Sequence, residues 1–255
     1  MTTDANGIAA FSFPDGFAPA PESFTFAATA TNSSTNDTSA FSNAIPIEST
    51  SNSTFIANAY EPLLNRPPDV TASSWVNGLN SGTFTPVTAV LGIERSGEYV
   101  TDQVDAMYLH YLDRAADPQG QQYWVGFVLA GGTFEQVAER LVSSQEFFEL
   151  QGGTNPGFIT GLYQDVLDRK PSATELAGWE LVLDSGTSRD TVAVAFLTSQ
   201  EYRTDLVRTD YLTFLQRPAD SGGLEAWVNA LNAGASDQEV LAGIFGSAEG
   251  YQLWS

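Results

Sequence analysis

Four arginines and four glutamates recur at matching places along the chain, and their types allow one strong interaction. The arginine stands near the start of each unit and the glutamate belongs to a Ser-x-Glu motif near its end. In chain order the pairs are Arg66 with Glu98, Arg114 with Glu146, Arg169 with Glu201, and Arg217 with Glu249. A guanidinium can bind a carboxylate through two parallel hydrogen bonds. We therefore predict four structural clamps, each a partly buried ion pair that joins the first helix of its unit to the fourth.

Catalytic and metal chemistry is sparse in the remaining sequence. Cysteine is absent and His110 is the only histidine, which excludes thiolate zinc sites and disfavours histidine-built sites. Asp117 begins a loop that resembles a calcium loop, but Ser172 takes its place in the third unit. That change keeps a helix N-cap and discards an anionic ligand. We expect no metal, no cofactor and no enzymatic activity, with a carboxylate pair for glycoside hydrolysis as the remaining catalytic alternative.

Further residue types recur at fixed distances from these arginines and define an internal repeat. A tyrosine stands six residues before each arginine: Tyr60, Tyr108, Tyr163 and Tyr211. A leucine stands two residues before it: Leu64, Leu112, Leu167 and Leu215. A tryptophan follows it: Trp75, Trp124, Trp179 and Trp227. A glycine comes seven residues after each tryptophan: Gly82, Gly131, Gly186 and Gly234. The coincidence of all these types predicts four tandem repeats of about 48 residues.

The repeated residues also predict four helices per repeat. The tyrosine and leucine give an apolar stripe on a first helix. The Asp or Ser three residues after the arginine (Asp69, Asp117, Ser172 or Asp220) can cap a second helix, which ends at the glycine. A third helix begins at Thr85, Thr133, Ser188 or Ser236, where Ser236 and Glu239 form a capping box. The serine of Ser-x-Glu caps a fourth, short helix that ends on Tyr99, Phe147, Tyr202 or Tyr251.

The spacing of the arginines sets the predicted domain boundaries. An extra Gly-Gly-Thr-Asn-Pro-Gly segment lies between the second and third repeats. We therefore predict an all-α array arranged two plus two. Its parts are an N-terminal arm (1–56), repeat one (57–103), repeat two (104–151), a Gly-rich linker (152–157), repeat three (158–205) and repeat four (206–255).

The arm differs in composition from the repeats. Residues 1–55 contain 18 Ser and Thr and seven Phe, with no Leu, Lys or Arg. Residues 8–13 and 23–27 alternate apolar and polar side chains and predict short strands, whereas residues 29–54 are of low complexity and predict a linker. A segment this polar buries too little of its own surface to offset its ordering entropy. We expect it to anchor the protein to a partner or to another copy, with docking along its own repeats as the alternative.

Charge and hydropathy limit the partners and the location. The chain has 31 acids and 10 bases, giving a net charge of −21. Such a surface repels nucleic acid and anionic lipid, and no apolar run reaches the length of a membrane span. The first residues show no positive region followed by an apolar one, so we predict no cleaved signal peptide. The lack of cysteine, the single lysine (Lys170) and the acidity favour an extracellular or virion-associated location.

The combined pattern of Tyr, Leu, Arg, Asp, Trp, Gly and Ser-x-Glu resembles the bacterial domain-of-unknown-function family 4214, four times over residues 57–254. The helical repeat is also loosely similar to the linker modules of phycobilisomes. The resemblance implies a small all-helical fold and a habitat among secreted, surface-attached and bacteriophage-associated bacterial proteins. It implies no reaction.

These observations favour a non-catalytic structural or adhesion component of an extracellular assembly, either a phage-like virion or a bacterial surface structure. In that reading the arm makes protein–protein contacts and the repeats are displayed. A secreted carbohydrate-binding module is the alternative, because aromatic rings stack on sugar rings. The repeated tryptophans are better explained as packing residues, which leaves aromatics such as Phe84, Phe134 and Trp254 as candidates for contact with surface glycan. A carboxylate-dependent glycosidase is the second alternative.

Overall fold

The computed structural model describes Phe24–Phe26, Ile45–Ile47 and all of residues 51–255. The chain divides into two compact units, Met1–Ser51 and Asn52–Ser255. In the first, strands β1 (Phe24–Phe26) and β2 (Ile45–Ile47) pair antiparallel, with Phe24 opposite Ile47. Strand β1 lies within the strand predicted at 23–27, whereas β2 corrects the prediction of a linker there. The strand predicted at 8–13 lies outside the described residues.

The second unit is all-α, as predicted, and its helices follow the four repeats. Repeat one contains α1 (Ser51–Leu64), a 3-10 turn (Val70–Ala72), α2 (Ser73–Ser81) and α3 (Pro86–Glu94). The next elements are α4 (Gly97–Leu112), α5 (Pro118–Leu129), α6 (Phe134–Val142) and α7 (Gln145–Leu150). Then come α8 (Asn155–Leu167), α9 (Ala173–Asp184), α10 (Arg189–Leu197), α11 (Gln200–Phe214), α12 (Ser221–Asn232), α13 (Asp237–Phe245) and α14 (Ala248–Trp254). None of the helices within the described part of the chain is long and apolar enough to cross a membrane.

The predicted helix caps are confirmed in nearly every copy. Each third helix begins at a Thr or Ser whose hydroxyl accepts a backbone N–H: Thr85, Thr133, Ser188 and Ser236. Each Ser-x-Glu serine does the same for the next helix: Ser96, Ser144, Ser199 and Ser247. The four terminating glycines all have positive φ, between 73° and 103°. The exception is Asp69, which caps the 3-10 turn before α2 instead of α2 itself.

Adjacent repeats share a helix at two of the predicted boundaries. The fourth helix does not end at Tyr99 or Tyr202; it continues as the first helix of the next repeat, giving the long α4 and α11. The boundaries at 103/104 and 205/206 therefore fall inside helices. Between repeats two and three the helix is interrupted, because Gly152 and Gly153 have positive φ. The predicted linker 152–157 is also shorter than expected, since α8 already begins at Asn155.

The arm ends earlier than predicted. Helix α1 begins at Ser51, inside the predicted arm 1–56, and its Phe55 and Ile56 are fully buried. These two side chains belong to the core of the helical unit. The last residues of the predicted arm are therefore part of repeat one.

The repeats pack in neighbouring pairs through their third helices. Helices α3 and α13 lie antiparallel. Gln238 at the start of α13 donates to the backbone oxygen of Glu94 at the end of α3, and Gly246, just after α13, lies against Val87 at the start of α3. Helix α6 packs against α10, and Arg140 near the end of α6 binds Asp190 at the start of α10. Repeat four thus contacts repeat one, and repeat three contacts repeat two. The four repeats close on themselves in a ring of contacts around one core.

Candidate functional site

The repeated arginines follow helix ends that are shaped by a left-handed residue. The residue before each arginine has a positive φ near 50°: Asn65, Asp113, Asp168 and Gln216. Asn and Asp tolerate this conformation better than other non-glycine residues. The reversal ends the first helix and directs the next side chain, the arginine, back over the helix it has just left. This position was not among the predicted ones, although Asn or Asp in three of four copies is a usable signal.

All four predicted pairs of arginine and glutamate are in contact. In each repeat Nε of the arginine donates to one carboxylate oxygen and Nη2 donates to the other. The Nη2–Oε2 distances are 2.7 Å for Arg66, 2.9 Å for Arg114, 2.9 Å for Arg169 and 2.7 Å for Arg217. The pairs are bidentate, and each joins the end of the first helix of a repeat to the start of the helix that Ser-x-Glu caps.

The repeated tyrosine completes each clamp from the other side. The arginine guanidinium lies over the tyrosine ring six residues earlier, at 5.1 Å in repeats one, two and four and 4.6 Å in repeat three. A cation over an aromatic face is attracted by the ring quadrupole. Nη1 also donates to the carbonyl of the next residue, as Arg114 does to Ala115 at 3.0 Å. The arginine is thus bound by protein groups on several sides.

The N-cap acid joins three of the clamps, and repeat three replaces it. Arg66, Arg114 and Arg217 each lie within 3.6 Å of the Asp three residues later. Repeat three has Ser172 at that position, and there Arg169 binds Glu175 instead, at 2.7 Å. Glu175 also forms the capping box with Ser172. The second negative charge is therefore present in every copy, although it comes from a different residue in repeat three.

The clamps shift the protonation equilibria of their own residues. The hydrogen bond from Arg114 lowers the pKa of Glu146, and the same contact raises the pKa of Arg114. Yet the side chains keep 38% and 46% of their surface exposed, so solvent screens the pair more than the prediction of a partly buried clamp assumed. Each ion pair therefore holds two helices together, with both charged groups ionised at neutral pH.

The repeated tryptophans are half-buried against the core. Trp75 lies directly over Gly92, and Trp227 lies over Gly243, so that a Cβ at either glycine would overlap the indole. Trp179 donates its Nε1 hydrogen to the hydroxyl of Tyr163 at 3.3 Å. These contacts agree with the predicted packing role.

The other aromatic candidates for sugar contact are less exposed than expected. Phe134 is buried and packs edge to face on Tyr99, with ring centroids 6.2 Å apart, which corrects its choice as an exposed aromatic. Phe84 is half-buried beside Trp75, and Trp254 donates to the backbone oxygen of Phe214 at 2.6 Å.

Two buried acids, Glu94 and Asp210, were not among the predicted site residues. Glu94 is fully buried, and neither of its carboxyl oxygens has a hydrogen-bond partner within the described part of the chain. Burial, together with the charge of Asp210, raises the pKa of Glu94 to about 9, and burial raises the pKa of Asp210 to about 7. Aligning the repeats would have found both. The residue in place of Glu94 is Val142, Leu197 or Phe245, and that in place of Asp210 is Ala59, Met107 or Leu162.

The acids and His110 are the side chains of this protein that could bind a metal ion. Residues 51–255 and the two strands contain no group of three or more His, Asp or Glu side chains placed to hold a metal ion. His110 lies exposed on α4, and its Nε2 is 2.8 Å from the backbone oxygen of Asp165 on α8. It therefore bridges two helices of neighbouring repeats.

The fold and the fourfold clamp define a class, that of tandem all-α repeat proteins in which every repeat is closed by the same ion pair. Comparison with family models gives the family. The model described as "Domain of unknown function (DUF4214)" matches residues 33–103, 100–150, 138–206 and 203–254. The chain belongs to this family, in four tandem copies, and the first copy starts earlier than the predicted residue 57. A search of curated proteins and a search of solved structures each gave no match.

Proposed function

We propose that the protein is a non-catalytic structural or adhesion component of an extracellular assembly, a phage-like virion or a bacterial surface structure. The observation that carries this proposal is the fourfold clamp. The polar residues that recur in every repeat bind one another, so their recurrence is accounted for by the closure of each repeat. A helical unit whose repeats are all closed in this way is suited to keep its structure and to display a surface.

The N-terminal unit supports an attachment role. It forms a compact unit of its own, and its Ser/Thr-rich composition differs from that of the repeats. A Ser/Thr- and Phe-rich segment with short strands can pair with the strands of another chain, because strand edges offer free backbone N–H and C=O groups. We therefore propose that residues 1–50 bind other proteins of the assembly or other copies of this chain.

The net charge of −21 suits a protein on an exposed surface. Charge of one sign keeps displayed copies soluble and apart, and it opposes association with nucleic acid and anionic lipid. The proposed partners are thus proteins.

Location is the direct test. Purified particles, the cell-surface fraction, the culture supernatant and the cytosol of the native source are compared by quantitative mass spectrometry. The proposal expects enrichment in the particles or on the surface, together with known structural components. Recovery in the cytosol alone would contradict it. Limited proteolysis of the full chain, free and in the assembly, then tests the arm: attachment predicts that cleavage within residues 1–50 is slower in the assembly.

A further inference from the structure

Repeat two carries a pocket in which aromatic and polar side chains meet. Its volume is about 330 Å³, which lies within the range of small-molecule sites. The pocket lies between α5 and α6, and its lining residues are Tyr123, Trp124, Phe127, Gln136, Glu139 and Arg140. Three of them are aromatic and three carry planar polar groups.

On α5, the pocket residue Tyr123 has no counterpart of the same type in the other three repeats. Tyr123 comes directly before the repeated tryptophan, where the other repeats have Ser74, Gly178 and Ala226. Its side chain is 64% exposed, so packing inside the protein does not explain a large aromatic residue there. An exposed tyrosine beside a pocket is typical of ligand contact.

The same comparison holds on α6. The N-cap residue of the third helix stands eleven residues before the Ser-x-Glu serine in every repeat, so the alignment of these helices is unambiguous. Arg140 stands where the other repeats have Gly92, Ala195 and Gly243. Glu139 stands where they have Leu91, Val194 and Ala242. Two small or apolar positions have become charged, and both line the pocket.

The change at Arg140 also explains why the pocket is open. In repeats one and four the glycine lets the indole lie directly on the helix, as Trp75 does over Gly92. A side chain at this position prevents such close contact in repeat two. In repeat two, Trp124 and Arg140 instead both line the pocket.

The side chains of the pocket are held in place by the protein. The rings of Tyr123 and Trp124 are 4.8 Å apart at 75°, and those of Trp124 and Phe127 are 5.7 Å apart at 88°. Arg140 binds Asp190 through Nη1 at 2.9 Å and lies 3.7 Å from Glu139. Gln136 accepts a hydrogen bond from the backbone of Thr133 at 3.0 Å through its amide oxygen, a bond that does not use its two N–H donors. Such preorganisation lowers the entropy cost of binding.

We propose that this pocket binds a neutral pyranose unit of a glycan. The C–H faces of a pyranose ring are apolar and pack on aromatic rings, while its hydroxyls both donate and accept hydrogen bonds. Tyr123, Trp124 and Phe127 supply the apolar surface. Glu139 accepts hydrogen bonds, and Arg140 and Gln136 donate them.

Charge distinguishes this ligand from two others that aromatic pockets take. The carboxylates of Glu139 and Asp190 and the net charge of −21 oppose an anionic sugar. The Arg140 guanidinium at the wall opposes a quaternary ammonium group, which needs an aromatic cage free of positive charge. A neutral sugar fits the mixed lining best. The inference stands whether or not the arm attaches the protein to an assembly.

The test uses the full chain with nitrogen-15 label and the neutral methyl pyranosides of glucose, galactose, mannose and N-acetylglucosamine. Each is titrated to about 20 mM, where a millimolar site is mostly filled. The five tryptophan indole N–H signals are followed by NMR, and Trp124→Phe assigns the signal of Trp124. We expect at least one glycoside to move that signal and leave the other four in place.

Two variants separate contact from a general effect. Tyr123→Ala removes an exposed ring and should weaken the binding about tenfold or more. Leu181→Ala removes an exposed apolar side chain on α9, 73% exposed and outside the pocket, and should leave the affinity unchanged. Circular dichroism of both variants verifies the fold.

Three results would overturn the proposal. One is no shift of the Trp124 signal with any of the four glycosides. The second is equal weakening by both variants, and the third is a stronger shift with choline chloride than with every glycoside. These measurements use purified protein, so their failure is distinguishable from a failure of the proposed location, which fractionation decides.

Discussion

Each repeated arginine makes the same set of contacts, with a carboxylate in front, a tyrosine ring behind and a backbone oxygen beside it. The set closes a repeat because its members come from the end of one helix, the loop after it and the start of another. Its strength is limited by water, since the arginine side chains remain 29% to 38% exposed and the glutamate side chains 39% to 48% exposed. Exposed pairs contribute less than 1 kcal/mol each in most measurements, which is below the several kcal/mol lost when one partner of a buried pair is removed.

The coupling energy of one clamp follows from this exposure. In a double-mutant cycle of Arg114→Ala and Glu146→Ala, we expect an interaction of about 0.5–1 kcal/mol in the free energy of unfolding, measured by urea denaturation. Added salt should reduce it. The matched control is Arg208 with Asp205, a pair on one helix with both side chains more than half exposed, which should couple more weakly. Additive single losses at the clamp would contradict the prediction.

Glu94 gives the protein a pH-dependent stability. Below the ordinary pKa of a glutamate the carboxyl is protonated in both folded and unfolded chains. Above it the unfolded chain releases the proton, while the folded chain keeps it up to a pKa of about 9. The contribution to stability is therefore fully present below about pH 4.5 and declines as the pH rises toward 9. Asp210 adds the same trend up to a pKa of about 7.

Replacing this acid with the residue that repeat three uses should remove much of the decline. We expect Glu94→Leu to raise the free energy of unfolding by about 2–4 kcal/mol at pH 8 and by clearly less at pH 5. Urea titrations at the two pH values measure both. Glu225→Gln, at an exposed position on α12, serves as the control and should keep the original pH dependence. An equal gain at both pH values would show that Glu94 does not titrate as inferred.

Helix ends determine how the repeats connect. At two junctions, α4 and α11, the chain continues as one helix, and at the third the left-handed Gly152 and Gly153 interrupt it. The same logic acts at the end of each first helix, where a residue with φ near 50° stops the helix. Three repeats use Asn or Asp there. Repeat four uses Gln216, whose longer side chain is less suited to this conformation than the short polar side chains of Asn and Asp.

Gln216 is therefore the weakest of the four helix ends. Gln216→Gly should raise the free energy of unfolding by about 0.5–1 kcal/mol, because glycine adopts positive φ without steric cost. For a chain of this size the midpoint of thermal unfolding should rise by about 1–4 °C. In the opposite direction, Gly186→Ala should lower the stability by about 1 kcal/mol, since Gly186 has a φ of 98°. A loss of stability in Gln216→Gly would refute this account of the turn.

On the scale of the whole helical unit, the first and last repeats are in contact. Phe55 on α1 packs against Phe245, with centroids 5.7 Å apart, and against Tyr251 at 5.0 Å. Gly246 lies so close to the backbone of Val87 that a Cβ there would overlap it. An open array of repeats would leave these end surfaces to solvent. Closure buries them and makes every repeat the neighbour of two others.

Closure predicts cooperative unfolding. Phe55→Ala should lower the free energy of unfolding by about 3–5 kcal/mol, the cost expected for a fully buried phenylalanine. The contact of α3 with α13 still joins repeats one and four in this variant. Tryptophan fluorescence and circular dichroism should therefore still report one coincident transition. Val70→Ala, at a side chain 88% exposed, is the control and should change stability by less than about 0.5 kcal/mol. Two separate transitions in the unaltered protein would contradict closure.

Local sequence signals predicted most elements of this protein. The caps at Thr133 and Ser144, the terminating glycines and the partners of all four arginines could be read from one chain because the repeat supplies four copies of each signal. These features depend on neighbours in the sequence or on fixed spacing inside one repeat, where helical geometry leaves few alternatives.

Tertiary structure decided what the spacing could not. The continuity of α4 and α11 depends on packing over two repeats, and the contact of Phe55 with Phe245 joins residues at opposite ends of the helical unit. The burial of Glu94 and the pocket beside Tyr123 likewise depend on which helices meet. Apolar periodicity marks the face of a helix that will be buried, but it does not specify the helix that covers it. That choice is made by the packing of all four repeats together, and so only the folded chain shows it.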